Sequence, residues 1–370
     1  MAEPQGGRQR VVVALSGGVD SAVACALLVE QGYEVIGLMM RLWAESATDR
    51  SALNRCCSLE AIDDARAVCQ HLGVPFYVLN YELPFLERVV GPFVADYTSG
   101  RTPNPCLACN RYLKFGTLLA RALTLDARYL ATGHYARVRQ SDGTFQLLRA
   151  RDRDKDQSYA LYMLGQRELY HALFPVGELT KDEVRSLARR LHLPVADKPE
   201  SQEICFIPDS DYRRFLMERI PEAFRPGPIL DRAGHVLGEH QGLPCYTVGQ
   251  RKGLGIAAPE PLYVLEIDIA RNALIVGPER ELGRPALLAE EVNWVSGRTP
   301  EQPVEATVRI RLHGKETSAT VIPLPGRRAR VAFSRPQRDI TPGQAAVFYS
   351  GDMVLGGGVI ARALDGTVSG

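Results

Sequence analysis

The chain has 370 residues, more than one hydrophobic core usually serves, so two or three domains are expected. Hydrophobic residues make up 45% of it and charged residues 24%, as in ordinary globular proteins, and no apolar run approaches the roughly 20 residues of a membrane helix. The net charge of +1 excludes the strongly basic balance of a dedicated nucleic-acid binder, so an RNA partner requires locally clustered cations.

The first half of the chain alternates strand-like and helix-like segments. This alternation predicts βαβ units and a parallel sheet covered by helices on both faces, with ligands at the carboxyl ends of the strands. Thr180 and Glu183 form a capping box at the start of one of the helices. The predicted strands are Val11 to Leu15, Val35 to Leu42, Phe76 to Leu79 and Arg128 to Ala131, and the predicted helices are Ser21 to Glu30, 58–72, Leu107 to Leu123 and Thr180 to His192.

The amino-acid composition changes after Pro208, where Gly and Pro become frequent. We predict a small mixed segment next, with one helix over Asp211 to Ile220 and two hairpins. From about Leu287 onward, short strands alternate apolar with polar residues, which predicts a final β-barrel or sandwich. The predicted domains are 1–208, 209–286 and 287–370.

A phosphate-binding loop is predicted at Ser16-Gly17-Gly18-Val19-Asp20-Ser21, between the first strand and the first helix. Glycine permits close backbone approach, and N–H groups at a helix start form a concavity suited to phosphate. A tight turn with serine capping is the alternative for a short Gly-Gly loop. No Walker A sequence occurs, because Gly314-Lys315 is followed by Glu316, so the usual γ-phosphate transfer loop is excluded.

This loop resembles the PP-loop of the ATP pyrophosphatases, which cleave ATP between its α and β phosphates and adenylate a carbonyl oxygen. The resemblance implies that ATP is bound with Mg²⁺ and that Asp20 helps to hold the metal. It also implies that the nucleotide is bounded by backbone near Met40 and Gly133. The ATP-binding residues implied are Ala14, Leu15, Ser16, Gly17, Gly18, Val19, Asp20, Ser21, Met40 and Gly133.

Two cysteine-containing segments and four further motifs indicate which of the PP-loop families the sequence resembles. The motifs are Gly100-Arg101-Thr102-Pro103-Asn104-Pro105-Cys106-Leu107-Ala108-Cys109-Asn110, Ser201-Gln202-Glu203-Ile204-Cys205-Phe206, Ala131-Thr132-Gly133-His134-Tyr135, Lys155-Asp156-Gln157-Ser158-Tyr159, Gly249-Gln250-Arg251-Lys252-Gly253-Leu254-Gly255 and Thr341-Pro342-Gly343-Gln344. Together they are similar to the tRNA 2-thiouridylases over nearly the whole chain. The resemblance implies an α/β fold, in which a parallel-sheet PP-loop domain (adenine nucleotide alpha-hydrolase-like) is followed by a small α+β domain and a C-terminal β-barrel.

The implied activity is ATP-dependent 2-thiolation of the wobble uridine of tRNA in the cytoplasm. The implied partners are that tRNA and a persulfide-carrying sulfur donor, either a cysteine desulfurase or a relay protein, with no membrane. Cys109 and Cys205 are the implied catalytic thiols, cycling through a persulfide and a disulfide. The target base is assigned to Asn104, Pro105 and Cys106, and tRNA contacts to His134, Lys155, Asp156, Gln157, Arg311, Leu312 and Gln344.

The physical context supports a reactive thiol at the Cys-x-x-Cys pair. A thiol just inside a helix amino terminus has its thiolate favoured, and Pro105 is tolerated at such a start. Two alternatives remain open at this point. Cys106 and Cys109 could form half of a structural zinc site completed by His134 or Cys205, or all three cysteines could anchor an iron–sulfur cluster, which we slightly favour.

The other cysteines carry less information. Eight cysteines without an export signal indicate thiols in a reducing compartment rather than a disulfide framework. Cys25, Cys69 and Cys245 are expected to be inert thiols in apolar or turn contexts. Cys56 and Cys57 are assigned no role.

The sequence departs from many relatives at two positions. Cys106 stands where the family often has Asp, which removes a candidate general base. Leu312 stands where a Tyr often follows the Arg of a tRNA-contacting pair, although Arg311 can still bind phosphate.

Three basic clusters are candidates for RNA contact, although solvated surfaces often carry such runs. Two rival functions are a PP-loop ligase acting on a small metabolite and a non-catalytic RNA-binding redox sensor. The paired cysteines disfavour the ligase, and the intact PP-loop disfavours the sensor. The clusters are Arg149, Arg151, Arg153 and Lys155; Arg309, Arg311, His313 and Lys315; and Arg327, Arg328 and Arg330.

Overall fold

The computed structural model describes residues 8–43, 59–199, 204–207 and 209–366. Its first layer is a parallel sheet of five strands in the order β3-β2-β1-β4-β7, which confirms the predicted α/β class. β1 is almost fully buried because strands with helices on both faces have no solvent side. β3 is instead an edge strand, and its Tyr77 and Val78 side chains are exposed. The strands are β1 (Arg10–Leu15), β2 (Glu34–Arg41), β3 (Phe76–Asn80), β4 (Tyr129–Thr132) and β7 (Ala172–Leu173).

Helices cover this sheet. The first begins at Val19, two residues before its predicted start, so Asp20 lies in its first turn. The helix over Lys181–Arg190 has the predicted capping box, in which the Thr180 side chain accepts from the backbone N–H of Glu183. The helices are Val19–Glu30, Leu59–Leu72, Glu82–Phe85 continued by Leu86–Val90 and Gly91–Thr98, Pro105–Ala108 continued by Cys109–Leu118 and Leu119–Leu123, Ser158–Leu161, Gln166–His171 and Lys181–Arg190.

The central segment has the predicted helix and two hairpins. The helix is shorter than expected, Tyr212–Met217, and Asp211 caps it by accepting from the N–H groups of Arg213 and Arg214. The hairpins join into one sheet in the order β10-β11-β8-β9 around a small apolar core. Short helical turns cover Pro221–Ala223, Leu243–Cys245 and Glu279–Glu281, and the strands are β8 (Gly227–Leu230), β9 (Val236–His240), β10 (Leu262–Asp268) and β11 (Ala273–Pro278).

The C-terminal part is a closed antiparallel β-barrel, which settles the choice between barrel and sandwich. Six strands follow the order β12-β15-β14-β13-β16-β17, and a further pairing between β12 and β17 closes the circle. Buried aliphatic side chains and Phe348 fill the interior. The strands are β12 (Arg284–Trp294), β13 (Val304–Arg309), β14 (Thr317–Leu324), β15 (Arg328–Gln337), β16 (Ala345–Ser350) and β17 (Met353–Leu364).

A hairpin from the first half of the chain extends the barrel sheet. It consists of β5 (Ala136–Ser141) and β6 (Thr144–Arg149), and β6 pairs with the start of β17 through Leu148 opposite Met353 and Leu147 opposite Val354. The large apolar core of the first domain continues across this contact and includes Tyr349 of the barrel. The two domains therefore share both a sheet and a core. No helix in the described ranges is long and apolar enough to span a membrane.

Candidate active site

The glycine loop lies where β1 ends and the first helix begins. The Ser21 hydroxyl donates to the Gly18 carbonyl at 3.1 Å and accepts from the Ser16 backbone N–H at 3.2 Å. The two serine hydroxyl oxygens are also 3.2 Å apart. These bonds fix the loop with its helix-start N–H groups together, which is the arrangement that binds phosphate.

Two glycines are required by close packing around this loop. Gly17 has φ +72°, and a Cβ there would lie 2.5 Å from the carbonyl oxygen of Ala61 in the helix over Leu59–Leu72. A Cβ on Gly133, which follows β4, would lie 2.6 Å from the backbone nitrogen of Ser21. The predicted nucleotide-bounding residue Gly133 is therefore in contact distance of the loop. Met40, near the end of neighbouring β2, is 9% exposed.

Asp20 is held by two partners that the sequence did not reveal. Lys181 Nζ donates to its two carboxylate oxygens at 2.7 and 2.9 Å, and the Tyr135 hydroxyl donates to Oδ1 at 2.8 Å. Only 10% of the Lys181 side chain is exposed. Lys181 is the first residue of its helix, so the capping box at Thr180 was a signal for its position, but not for its partner 161 residues away.

The cysteine helix begins at Pro105, two residues before its predicted start, with the proline in the position that a helix start tolerates. The Asn104 side chain accepts from the backbone N–H of Cys106 at 3.1 Å, and Pro105 is the first helical residue. Cys106 is exposed, whereas Cys109 is 9% exposed and begins the segment Cys109–Leu118, whose hydrogen bonds follow the wider π pattern. Such segments are frequent at functional sites.

Cys205, the second thiol that the sequence predicts to be catalytic, is half-buried in the short described stretch 204–207. Its neighbours Ser201, Gln202 and Glu203 lie outside the described residues, as do Cys56 and Cys57. Cys25 and Cys69 are buried at 0% and 1% exposure, as expected of inert thiols, and Cys245 is half-buried. Among the described residues, no group of three or more His, Cys, Asp and Glu side chains is placed to hold a metal ion.

His134 connects the cysteine helix to the loop. Its Nδ1 is 2.7 Å from the Thr132 hydroxyl and its Nε2 is 3.4 Å from Lys114 Nζ, five residues after Cys109 along the helix. Burial, followed by the charge of Lys114, lowers the pKa of His134 well below its usual range. The ring is therefore neutral at physiological pH and cannot bind phosphate as a cation.

The other residues assigned to tRNA occupy different environments. Asp156 is buried, accepts from Ser158 and from the Ala150 N–H, and faces Arg149 and Arg309 at 3.7 and 3.6 Å. The remaining assigned side chains are outside this core. Lys155 is half-buried, Gln157 is exposed and accepts from the Tyr135 N–H, and Arg311, Leu312 and Gln344 are partly exposed on the barrel.

Two members of the basic clusters are not surface cations, contrary to the expectation that such runs are solvated or bind RNA. Arg149 is 5% exposed, and its Nη1 lies 2.7 Å from Glu316 Oε1. Its guanidinium stacks 3.6 Å from the ring centroid of Tyr349. Arg309 donates to the same Glu316 oxygen at 2.7 Å. Both arginines therefore face carboxylates between the domains, the buried Asp156 and the partly exposed Glu316, and are engaged within the protein.

The parallel sheet, the Gly17–Gly18 loop and the helix that starts there define a PP-loop nucleotide-binding protein. Three family models match in succession. The "tRNA methyl transferase HUP domain" covers residues 9–209, the "tRNA methyl transferase PRC-barrel domain" 213–278 and the "Aminomethyltransferase beta-barrel domain" 284–360.

Curated relatives identify the family. The chain is 52% identical to the tRNA-specific 2-thiouridylase MnmA of Symbiobacterium thermophilum, with 97% of this chain and 95% of the relative covered. Identity to the enzyme of the same name from Clostridium perfringens is 47%, covering 96% and 99%. The chain belongs to the tRNA-specific 2-thiouridylase family. Among solved structures, the U34-tRNA thiolase NcsA from Methanococcus maripaludis with its [4Fe-4S] cluster is 20% identical, covers 58% of this chain and 69% of its own, and has a TM-score of 0.33, too low to carry an argument.

Proposed function

We propose that this protein is a tRNA-uridine 2-sulfurtransferase that adenylates the wobble uridine of tRNA at O2 and replaces that oxygen with sulfur. The proposal rests mainly on a series of contacts that links the predicted phosphate-binding loop to the helix that carries Cys106 and Cys109. Gly133 packs on the PP-loop at residues 20–21, and the next residue, His134, contacts Lys114 of the helix that starts at Pro105. A nucleotide on the loop and a base near the cysteines would thus share one site.

In the first step, the uridine is turned out of its stack because O2 is otherwise inaccessible. O2 attacks the α-phosphorus of ATP, and pyrophosphate leaves into the N–H groups of residues 16–21. Asp20, the carboxylate in this loop, is the residue that would hold Mg²⁺, which supplies charge neutralisation for the pyrophosphate. The target base is assigned to Asn104, Pro105 and Cys106.

In the second step, the terminal sulfur of a Cys205 persulfide attacks C2 and AMP leaves. The Cys109 thiolate then attacks the Cys205 sulfur, which breaks the sulfur–sulfur bond to the base and forms a Cys109–Cys205 disulfide. The products are 2-thiouridine and the oxidised enzyme, which a cellular thiol must reduce. A persulfide-carrying protein would reload Cys205.

An iron–sulfur cluster or zinc ion on Cys106, Cys109 and Cys205 does not fit the positions of the described side chains, which form no three-ligand group. The proposed steps therefore use the thiols alone. The thiol route predicts that Cys106→Ser retains much of the activity, because Cys106 neither carries nor resolves the persulfide. Anaerobic purification followed by iron and acid-labile sulfide analysis tests this directly. Bound iron that is lost together with activity in Cys106→Ser would contradict the thiol route.

The proposed function is tested with purified protein, ATP, Mg²⁺, a persulfide donor and tRNA carrying a wobble uridine. We expect tRNA-stimulated pyrophosphate release and 2-thiouridine detectable by mass spectrometry of the nucleosides. Cys109→Ser should still release pyrophosphate but form no 2-thiouridine, whereas Cys245→Ser, which removes a thiol with no part in the proposed steps, should do both. Pyrophosphate release that requires a small metabolite and does not depend on tRNA would favour the ligase hypothesis instead. No pyrophosphate release under any of these conditions would favour the redox-sensor hypothesis.

A further inference from the structure

The barrel turn, residues 341–344 between β15 and β16, contacts the segment that precedes the cysteine helix. The backbone N–H of Thr102 donates to the Pro342 carbonyl at 2.8 Å. In return, the Gln344 side-chain amide donates to the Thr102 carbonyl at 2.8 Å and to the Pro103 carbonyl at 3.4 Å. The amide nitrogen of Gln344 carries two N–H groups, so this one side chain can donate to both carbonyl oxygens.

The segment that Gln344 holds leads directly to the reactive thiols. Asn104 follows Pro103 and caps the helix through the Cys106 N–H at 3.1 Å. Cys109 lies at the end of the first turn. The orientation of the cap, and with it the start of the helix, thus depends on two peptide carbonyls anchored from another domain.

The barrel turn is itself rigidly seated. The Gly343 N–H donates to the Ile360 carbonyl at 2.9 Å, and the Ile360 N–H donates to the Gln344 carbonyl at 2.7 Å. Ile360 is fully buried in β17. Gly343 has φ +92°, and a Cβ there would lie 2.9 Å from the Thr102 carbonyl oxygen, so only glycine permits this approach.

The central domain is attached at the same place. Arg311 Nη2 donates to the Thr341 hydroxyl at 2.9 Å and to the Val248 carbonyl at 3.1 Å. The hydroxyl oxygens of Thr102 and Thr247 are 3.2 Å apart. All three domains therefore meet within a few residues of the cysteine helix.

We propose that Gln344 is a positioning residue of the thiolation site, which fixes the 102–104 segment and thereby the amino terminus of the cysteine helix. The expected effect on the rate of thiolation rests on the proposed function, whereas the expected effect on the position of the 102–104 segment does not. A misplacement of about 1 Å at reacting groups can cost about a hundredfold in rate, so a small shift of this segment has a large effect.

The test compares Gln344→Met, which keeps the length of the side chain but removes the donor, with Gln337→Met. Gln337 is a matched control because its amide donates to two carbonyls, those of Arg335 and Pro336, within its own barrel strand. We expect Gln344→Met to lower kcat for 2-thiouridine formation about tenfold or more, with KM for ATP and the Kd for tRNA changed less than about threefold. Gly343→Ala should act in the same direction.

A second readout does not depend on activity. Loosening the Asn104 cap lets the first helical turn open, so iodoacetamide should label Cys109 in RNA-free Gln344→Met at least about threefold faster than in wild type, with Gln337→Met unchanged. Unchanged labelling overturns the proposal even if the protein proves not to thiolate tRNA. Weakened tRNA binding with unchanged kcat also overturns it, because that is the signature of a direct RNA contact.

Discussion

The ammonium group of Lys181 lies between the two carboxylate oxygens of Asp20, at 2.7 and 2.9 Å, and the lysine side chain is only 10% exposed. The pair joins the first turn of one helix to the first residue of another across the nucleotide loop. Because the Lys181 side chain has little access to water, loss of the Asp20 carboxylate removes an opposite charge that favours the buried ammonium group.

Asp20→Ala is expected to abolish tRNA-dependent pyrophosphate release while the Kd for tRNA changes only a few-fold. The carboxylate is local to the loop, and the proposed RNA contacts are elsewhere. Pyrophosphate release and tRNA binding by filter retention measure the two effects. Undiminished AMP production by the variant would show that Asp20 has no part in adenylation.

A double variant separates catalysis from folding at this pair. Asp20→Ala removes a negative charge that lies against the largely buried Lys181 and should destabilise the protein, whereas Asp20→Ala combined with Lys181→Met should recover part of the free energy of unfolding without recovering pyrophosphate release. Urea denaturation provides the stability measurement. Recovery of activity in the double variant would mean that the loss in the single variant was only structural.

Gly17→Ala is expected to cost about 3 kcal/mol of stability and to raise the Kd for ATP at least about tenfold, because the new Cβ combines a positive φ with a clash against Ala61. Gly73→Ala is the control, since Gly73 has φ +67° but open space around it, and should cost only about 1 kcal/mol. Equal costs for the two variants would argue against the clash at Ala61. Denaturant titration and nucleotide binding check both.

RNA affinity is expected to fall steeply with salt, although the net charge is only +1, because the exposed cations are clustered. Lys155→Gln should reduce the slope of log K against log salt by about one unit. Arg149→Gln, from the same basic cluster, should leave that slope unchanged and lower stability instead, since Arg149 is bonded to Glu316. The reverse pattern would show that the buried arginine reaches RNA.

The Glu316 carboxylate makes stability depend on acid pH. Burial raises its pKa, but the hydrogen bond from Arg309 and the charge of Arg149 outweigh burial and hold the pKa below the usual value. Its contribution is therefore full above the unfolded pKa of about 4.3 and is lost as pH falls through the lower folded pKa. Glu316→Gln should cost about 2 kcal/mol at pH 7 and lose less further stability on acidification than wild type does. Parallel loss in both proteins would assign the acid sensitivity to other groups.

Local patterns predicted the features that depend on neighbouring residues. The strand–loop–helix at Ser16 to Ser21, the Pro105 helix start and the capping box at Thr180 all require only short-range geometry, and all three are present. The β5–β6 hairpin was missed although it carried a signal. Its turn is Asp142-Gly143, with φ of +50° and +75°, a dipeptide typical of tight hairpins.

Ion pairs between residues that are far apart in the sequence could not be predicted from it. Arg149 and Arg309 look like surface cations because Asp156 and Glu316, which neutralise them, are brought together only by the docking of the hairpin on the barrel. Lys181 and Asp20 are likewise far apart in the sequence, 161 residues, and only the folding of the chain brings them together. Periodicity identifies which face of an element is apolar, but it does not specify which distant charge will lie opposite a given polar side chain.

The sheet shared by β6 and β17 limits how such a protein can change. Because Leu147 and Leu148 pair with Val354 and Met353, the barrel cannot be exchanged for an unrelated domain without leaving an open strand edge on the nucleotide-binding domain. Recombination of whole domains is therefore disfavoured. Changes in substrate preference would have to arise by substitution within surface loops, with the barrel and the nucleotide-binding domain inherited together as one unit.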